Sequence, residues 1–112
     1  MPYIYNVTFV VPPEREPDLL DWLQTEVPPL LFNPFSPAMN GEIRKVIEIN
    51  GETPAPENGS NIALQATFET ENNAHEWFSD FLPNSLNDFR NKFGDQAAFF
   101  ITLLEEIPLL SE

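Results

Sequence analysis

A chain of 112 residues that is 42% apolar, with eighteen acids against five bases and a formal charge of −13, has the length of one folded domain, here residues 1–112. It can bury about two-thirds of the surface its unfolded form would expose. So few bases leave no Lys/Arg stripe to neutralise phosphates, which excludes nucleic acid and anionic membrane surfaces as main partners, and the lack of cysteine excludes disulfides, thiolate nucleophiles and cysteine-ligated iron–sulfur or zinc sites.

No cluster of oxygen ligands has the loop spacing of a calcium site, and no metal site or cofactor is expected. No apolar run approaches the roughly 20 residues needed to cross a bilayer. Met1-Pro2 leads into a strand without a basic, leader-length apolar segment, so the expectation is a cytoplasmic protein. Asn6-Val7-Thr8 and Asn58-Gly59-Ser60 match the glycosylation pattern but carry no meaning without export. The acidity reads as a device for solubility.

Tyr3 to Val11 combines β-branched and aromatic residues in clear alternation and reads as the central strand. Tyr3, Tyr5, Val7, Phe9 and Val11 share an apolar face, whereas Ile4, Asn6, Thr8 and Val10 share a mixed one. Pro12 to Glu16 is a turn, and Pro17-Asp18 opens a helix, because proline suits the first turn and acids suit the positive end of the dipole. Leu19, Leu23, Val27 and Leu30 form its stripe, flanked by Leu20 and Trp22. Pro28-Pro29 interrupts the helix, a short turn follows over Leu30 to Phe32, and the prolines of Asn33 to Pro37 forbid regular structure.

Glu42 to Ile49 alternates as a second strand, with charges that suit a sheet edge. Asn50 to Asn61 reads as a long polar hairpin connection. Ser60 to Glu69 is a third strand with Ile62, Leu64, Ala66 and Phe68 toward the core and Ala63, Gln65 and Thr67 on the other face. Thr70 to Phe93 is helical by period, with Ala74, Phe78, Phe81, Leu82, Leu86, Phe89 and Phe93 on the stripe and Trp77 beside it. Pro83 breaks it near Leu82, and Gly94 ends it. Ala97 to Ile107 is apolar on both faces except at Thr102, and reads as a strand covered on both sides.

This order predicts an α+β, ferredoxin-like βαββαβ sandwich: a four-stranded antiparallel sheet, strands one and three central, with two helices on one face. The other face would carry Ile4, Asn6, Thr8, Val10, Val46, Gln65, Thr67, Phe100, Thr102 and Leu104, more apolar surface than a soluble monomer exposes. A homodimer is therefore predicted, with Val10, Val46, Phe100 and Leu104 in the interface.

Tyr5-Asn6-Val7-Thr8, Trp22 followed by a proline at Pro28 or Pro29, Pro83 midway through the second helix, and Phe93-Gly94-Asp95 followed by Thr102-Leu103-Leu104-Glu105 together resemble a small bacterial family known as domain of unknown function family 4286. The resemblance covers nearly the whole chain and implies a dimeric α+β barrel. That class holds cofactor-free monooxygenases, haem-degrading proteins and purely binding members. The family has no assigned activity and so transfers no catalytic residues. The chain departs from its pattern at the doubled proline and in the long Asn50 to Asn61 loop.

Asn6, Thr8, Gln65, Thr67 and Thr102 form the sharpest constellation, since all five should converge from neighbouring strands as the few polar groups of a ligand pocket do. None titrates near neutrality, so proton transfer would fall to Tyr3, Tyr5, Arg44, Glu48 or a substrate. His75, the single histidine, lacks the carboxylates of a triad or metal site. Glu105 and Glu106 are adjacent in a strand and point apart. No phosphate loop, nucleophile elbow or zinc-helix motif occurs. The reading is a noncatalytic homodimeric module; the alternatives are a binder of a small, largely apolar ligand and a cofactor-independent oxygenase.

Overall fold

The computed structural model describes residues 2–110. Its main elements are β1 Tyr3–Val11, α1 Glu16–Thr25, α2 Pro28–Leu31, β2 Asn40–Lys45, β3 Ser60–Phe68, α3 Glu71–Asp80, α4 Leu82–Phe93 and β4 Ala98–Glu105. The strands form one sheet in the order β2-β3-β1-β4, and each neighbouring pair is antiparallel. This is the ferredoxin-like α+β arrangement that the alternation of periods predicts.

The helices cover one face. Tyr5, Val7, Phe9 and Val11 of β1 and Ile62, Leu64, Ala66 and Phe68 of β3 are buried against Leu19, Trp22 and Leu23 of α1, Leu31 of α2, Ala74 and Trp77 of α3, and Leu82, Phe89 and Phe93 of α4. Each large side chain removed from water there contributes about 1.5–3 kcal/mol. Two indole N–H groups tie the helices together as they pack. Trp22 Nε1 donates to Asp88 Oδ2 at 2.7 Å, joining α1 to α4, and Trp77 Nε1 donates to the Leu31 carbonyl at 2.9 Å, joining α3 to α2.

Both tryptophans are fully buried, whereas the periodicity places them beside the apolar stripes. The prolines explain the shift. Pro28-Pro29 opens a separate helix, so the phase set by Leu19 and Leu23 is not carried through: Leu31 turns inward and Leu30 is exposed. Phe81 is likewise the hinge between α3 and α4, with Pro83 in the first turn of the second helix. Phe78 is thereby left half-exposed at the rim, although its ring still stacks on Tyr5.

The second strand is Asn40–Lys45, not Glu42 to Ile49. Its partner β3 begins at Ser60, and the ladder closes with the Val46 N–H donating to the Asn61 carbonyl at 3.0 Å. Ile47 and Ile49 therefore run past the sheet and are exposed. Asn50 (φ 55°) and Gly51 (φ 79°) both adopt the left-handed conformation of a two-residue turn, which the reciprocal hydrogen bonds between Ile49 and Glu52 close. An Asn-Gly pair is the strongest short-range hairpin signal, so the connection after β2 contains a small hairpin of its own. In β4 only the helix-facing residues Phe99, Ile101 and Leu103 are partly covered; Phe100 and Leu104 are 62% and 43% exposed. The covering expected on both sides is present on one.

Candidate functional site: the open face of the sheet

The face turned from the helices is set by strand register. Asn6 lies opposite Gln65 and Thr102, Thr8 opposite Ala63 and Phe100, Ile4 opposite Thr67 and Leu104, and Val10 opposite Asn61 and Ala98. On β2, Glu42 faces Gln65, Arg44 faces Ala63 and Asn40 faces Thr67. All five polar positions singled out in the sequence therefore share one surface, and so do Val10, Phe100 and Leu104. Val46 sits one residue past β2, half-buried at its end.

A polar row crosses the middle of this surface. The Glu42 carboxylate pairs with the Arg44 guanidinium. Arg44 Nη1 donates to Gln65 Oε1 at 2.6 Å, Gln65 Nε2 donates to Asn6 Oδ1 at 3.1 Å, and Asn6 Nδ2 donates to Thr8 Oγ1 at 2.9 Å. A guanidinium can only donate, which turns the Gln65 carbonyl toward it and leaves the Gln65 NH2 for Asn6; the same logic orients Asn6 toward Thr8. The row thus has a direction, from the cation on β2 to the hydroxyl on β1, and each amide in it is satisfied on both sides.

Thr67 and Thr102 share the face but not the row, for no side-chain hydrogen bond joins them to it among the described residues. Around the row lie Ile4, Val10 and Ala63, and beyond it Phe100 and Leu104. The sequence reading treated Glu42 and Arg44 only as edge charges. Their two-residue spacing on a strand, which puts both on one face, was the signal that could have added them.

The other residues weighed from sequence lie apart. His75 Nε2 is 3.6 Å from Glu71 Oε2 on an exposed turn of α3. Two open clefts, of about 370 and 350 Å3, gather around Pro13, Pro56 and Gly59 near the end of β1. The larger includes Val46 and an ion pair in which Lys45 Nζ lies 2.9 Å from Glu16 Oε2. Hydrogen bonds from Lys45 and from Ser60 hold the Glu16 carboxyl below its ordinary range. Neither cleft is lined by any of the five polar positions on the sheet.

The model of the family described as Domain of unknown function (DUF4286) matches residues 2–107. The chain belongs to that family. No curated protein and no solved structure matches it. The DUF4286 match begins before β1 and ends after β4, so the whole sheet, its helical cover and the polar row fall within the DUF4286 region. No helix among the described residues is long and apolar enough to cross a membrane.

Proposed function

We propose that this DUF4286 chain is a cytoplasmic, noncatalytic homodimeric module whose open sheet face is the subunit interface. One observation carries the reading. On a chain with a formal charge of −13, the register puts only two charged side chains on that face, Glu42 and Arg44, and they neutralise each other. Depletion of charge at the centre of a patch, with aromatic and aliphatic groups around it, is the compositional mark of an interface, and Phe100 and Leu104 supply those groups in the open. A surface kept for water on so acidic a protein would carry its share of acids.

The polar row fits the same reading. Because Gln65 and Asn6 answer each other and Arg44 and Thr8 take the two ends, the row can be desolvated under a partner without orphaning an amide. It needs no ligand to satisfy it. The absence of cysteine suits a reducing compartment.

The test is Phe100→Glu, with Phe35→Glu, far from the face and 88% exposed, as its control. An unpaired carboxylate forced into an interface costs about 3 kcal/mol, roughly a hundredfold in dissociation constant. Sedimentation should show Phe100→Glu as monomer under conditions where the control remains a dimer. Raised salt should tighten the unmodified dimer, since it screens repulsion between two acidic copies. Equal association of both variants would overturn the assignment of the face.

A further inference from the structure

The two edges of the sheet differ in a way that the open face does not explain. An edge strand offers unpaired backbone N–H and C=O groups to any passing strand, and soluble proteins blunt it with charges, prolines or short length. The β2 edge has such devices: six residues that include Glu42, Arg44 and Lys45. The β4 edge has none over Ala98–Leu104, seven residues without a charge or a proline. No backbone hydrogen bond from outside the sheet reaches this stretch among the described residues, and β1 is its one strand neighbour.

We infer that the β4 edge pairs antiparallel with the β4 edge of a second copy about a two-fold axis at Thr102. In antiparallel pairing, opposed residues lie on the same face, so a register centred on Thr102 sets Phe100 against the partner's Leu104 on the open side and Ile101 against the partner's Leu103 on the helix side. Both exposed apolar groups of β4 then cover each other, twice over by symmetry.

Charge selects the same register and points to a second copy instead of a foreign strand. It brings the partner's Glu105 opposite Phe99. The Arg90 guanidinium lies over the Phe99 ring, 4.7 Å from its centre, and Arg90 makes no ion pair within its own chain among the described residues. Glu105 lies on the helix side of the sheet, in register with Tyr3, which is the side Arg90 occupies. Each copy thus holds a cation where the other brings an acid.

This seam is independent of the interface proposed for the open face. Its axis runs perpendicular to the sheet, whereas an axis relating two stacked faces runs parallel to it, so a chain using both contacts closes at four copies.

Single cysteines test the seam cleanly because the chain has none of its own. Ile101→Cys and Leu103→Cys are mixed and treated with a short bifunctional thiol reagent, with far-UV circular dichroism to establish that both variants fold. The helix-side positions cannot meet across two stacked open faces. The seam predicts a cross-linked Ile101→Cys/Leu103→Cys heterodimer several-fold above either homodimer, and a cross-linked Thr102→Cys homodimer as the fold-neutral second probe. Cross-linking at Thr102→Cys without the heterodimer would overturn the seam while leaving the face interface standing; no product from either would overturn it outright. A charge swap supplies a separate readout. Arg90→Glu and Glu105→Arg should each lower the heterodimer yield and together restore it, and a double variant no better than the singles would contradict the register. Amide exchange along β4 that slows only when a foreign strand-forming peptide is added would overturn self-pairing.

Discussion

The Leu31 carbonyl, at the end of α2, accepts two hydrogen bonds, from Trp77 Nε1 at 2.9 Å and from Ser36 Oγ at 2.7 Å. Either donor alone satisfies it, which makes the pair a test of how the helical layer is held. Trp77→Phe keeps an aromatic ring among Tyr5, Phe32 and Phe68 but loses one net hydrogen bond, about 0.5–1.5 kcal/mol, and part of a fully buried side chain, about 1–2 kcal/mol more. Ser36→Ala removes the other hydrogen bond for about 0.5–1.5 kcal/mol. Only the double variant leaves a buried carbonyl without a donor, which adds the desolvation cost of that group, about 1–3 kcal/mol. Urea unfolding of the four proteins measures the cycle, with the fluorescence of Trp22 as the common probe. The expected coupling is at least about 1 kcal/mol in the direction that makes the double worse than the sum. Additivity within about 0.5 kcal/mol would refute the reasoning, because it would mean that the carbonyl is never orphaned.

Three further outcomes follow from single side chains. Ser85 is buried in α4 and its Oγ has no partner among the described residues, so Ser85→Ala should raise stability by about 1 kcal/mol through a relieved hydroxyl and better helix propensity; a loss in urea unfolding would reveal a partner. Gly41 sits beneath the Phe32 ring, where a Cβ would collide with three ring carbons, so Gly41→Ala should cost about 1–3 kcal/mol, and Phe32→Leu in the same chain should recover part of it in the same assay. Burial, and to a lesser degree the Glu71 carboxylate, raises the Tyr5 phenol above its ordinary value. The unfolded chain therefore loses this proton first. The contribution is fully present below about pH 10 and is lost as pH rises through the folded value, so Tyr5→Phe should flatten the alkaline limb of a stability profile, and an unchanged limb would remove Tyr5 as its source.

The sheet was legible because its signal is local and periodic. Tyr3–Val11 and Ser60–Phe68 match their sequence readings within a residue, since alternation with a wholly apolar face leaves one register free of penalty. The helix faces were less legible. Phase is carried only along unbroken helix, and Pro28-Pro29 and Pro83 each restart it, which is why Trp22 and Trp77 are core instead of flank and why Leu30 is not. The second strand was misread at its end because Val46, Ile47 and Ile49 look alike in sequence, and only the start of β3 decides where pairing stops. Asn50-Gly51 carried a turn signal that a generic polar-loop reading passed over. At the open face, the shared surface of Asn6, Thr8, Gln65, Thr67 and Thr102 followed from strand parity. Which of them bond to one another did not, because that depends on neighbouring strands being in register, and the Glu42–Arg44 pair that anchors the row entered only with that register.

The account stands on the open face being covered by another copy. Sedimentation equilibrium of the unmodified 12.8 kDa chain at micromolar concentration and moderate salt measures this most directly. The account predicts a mass at least twice that of the chain, falling toward one chain with Phe100→Glu. A single species at the mass of one chain across the accessible concentration range would contradict it.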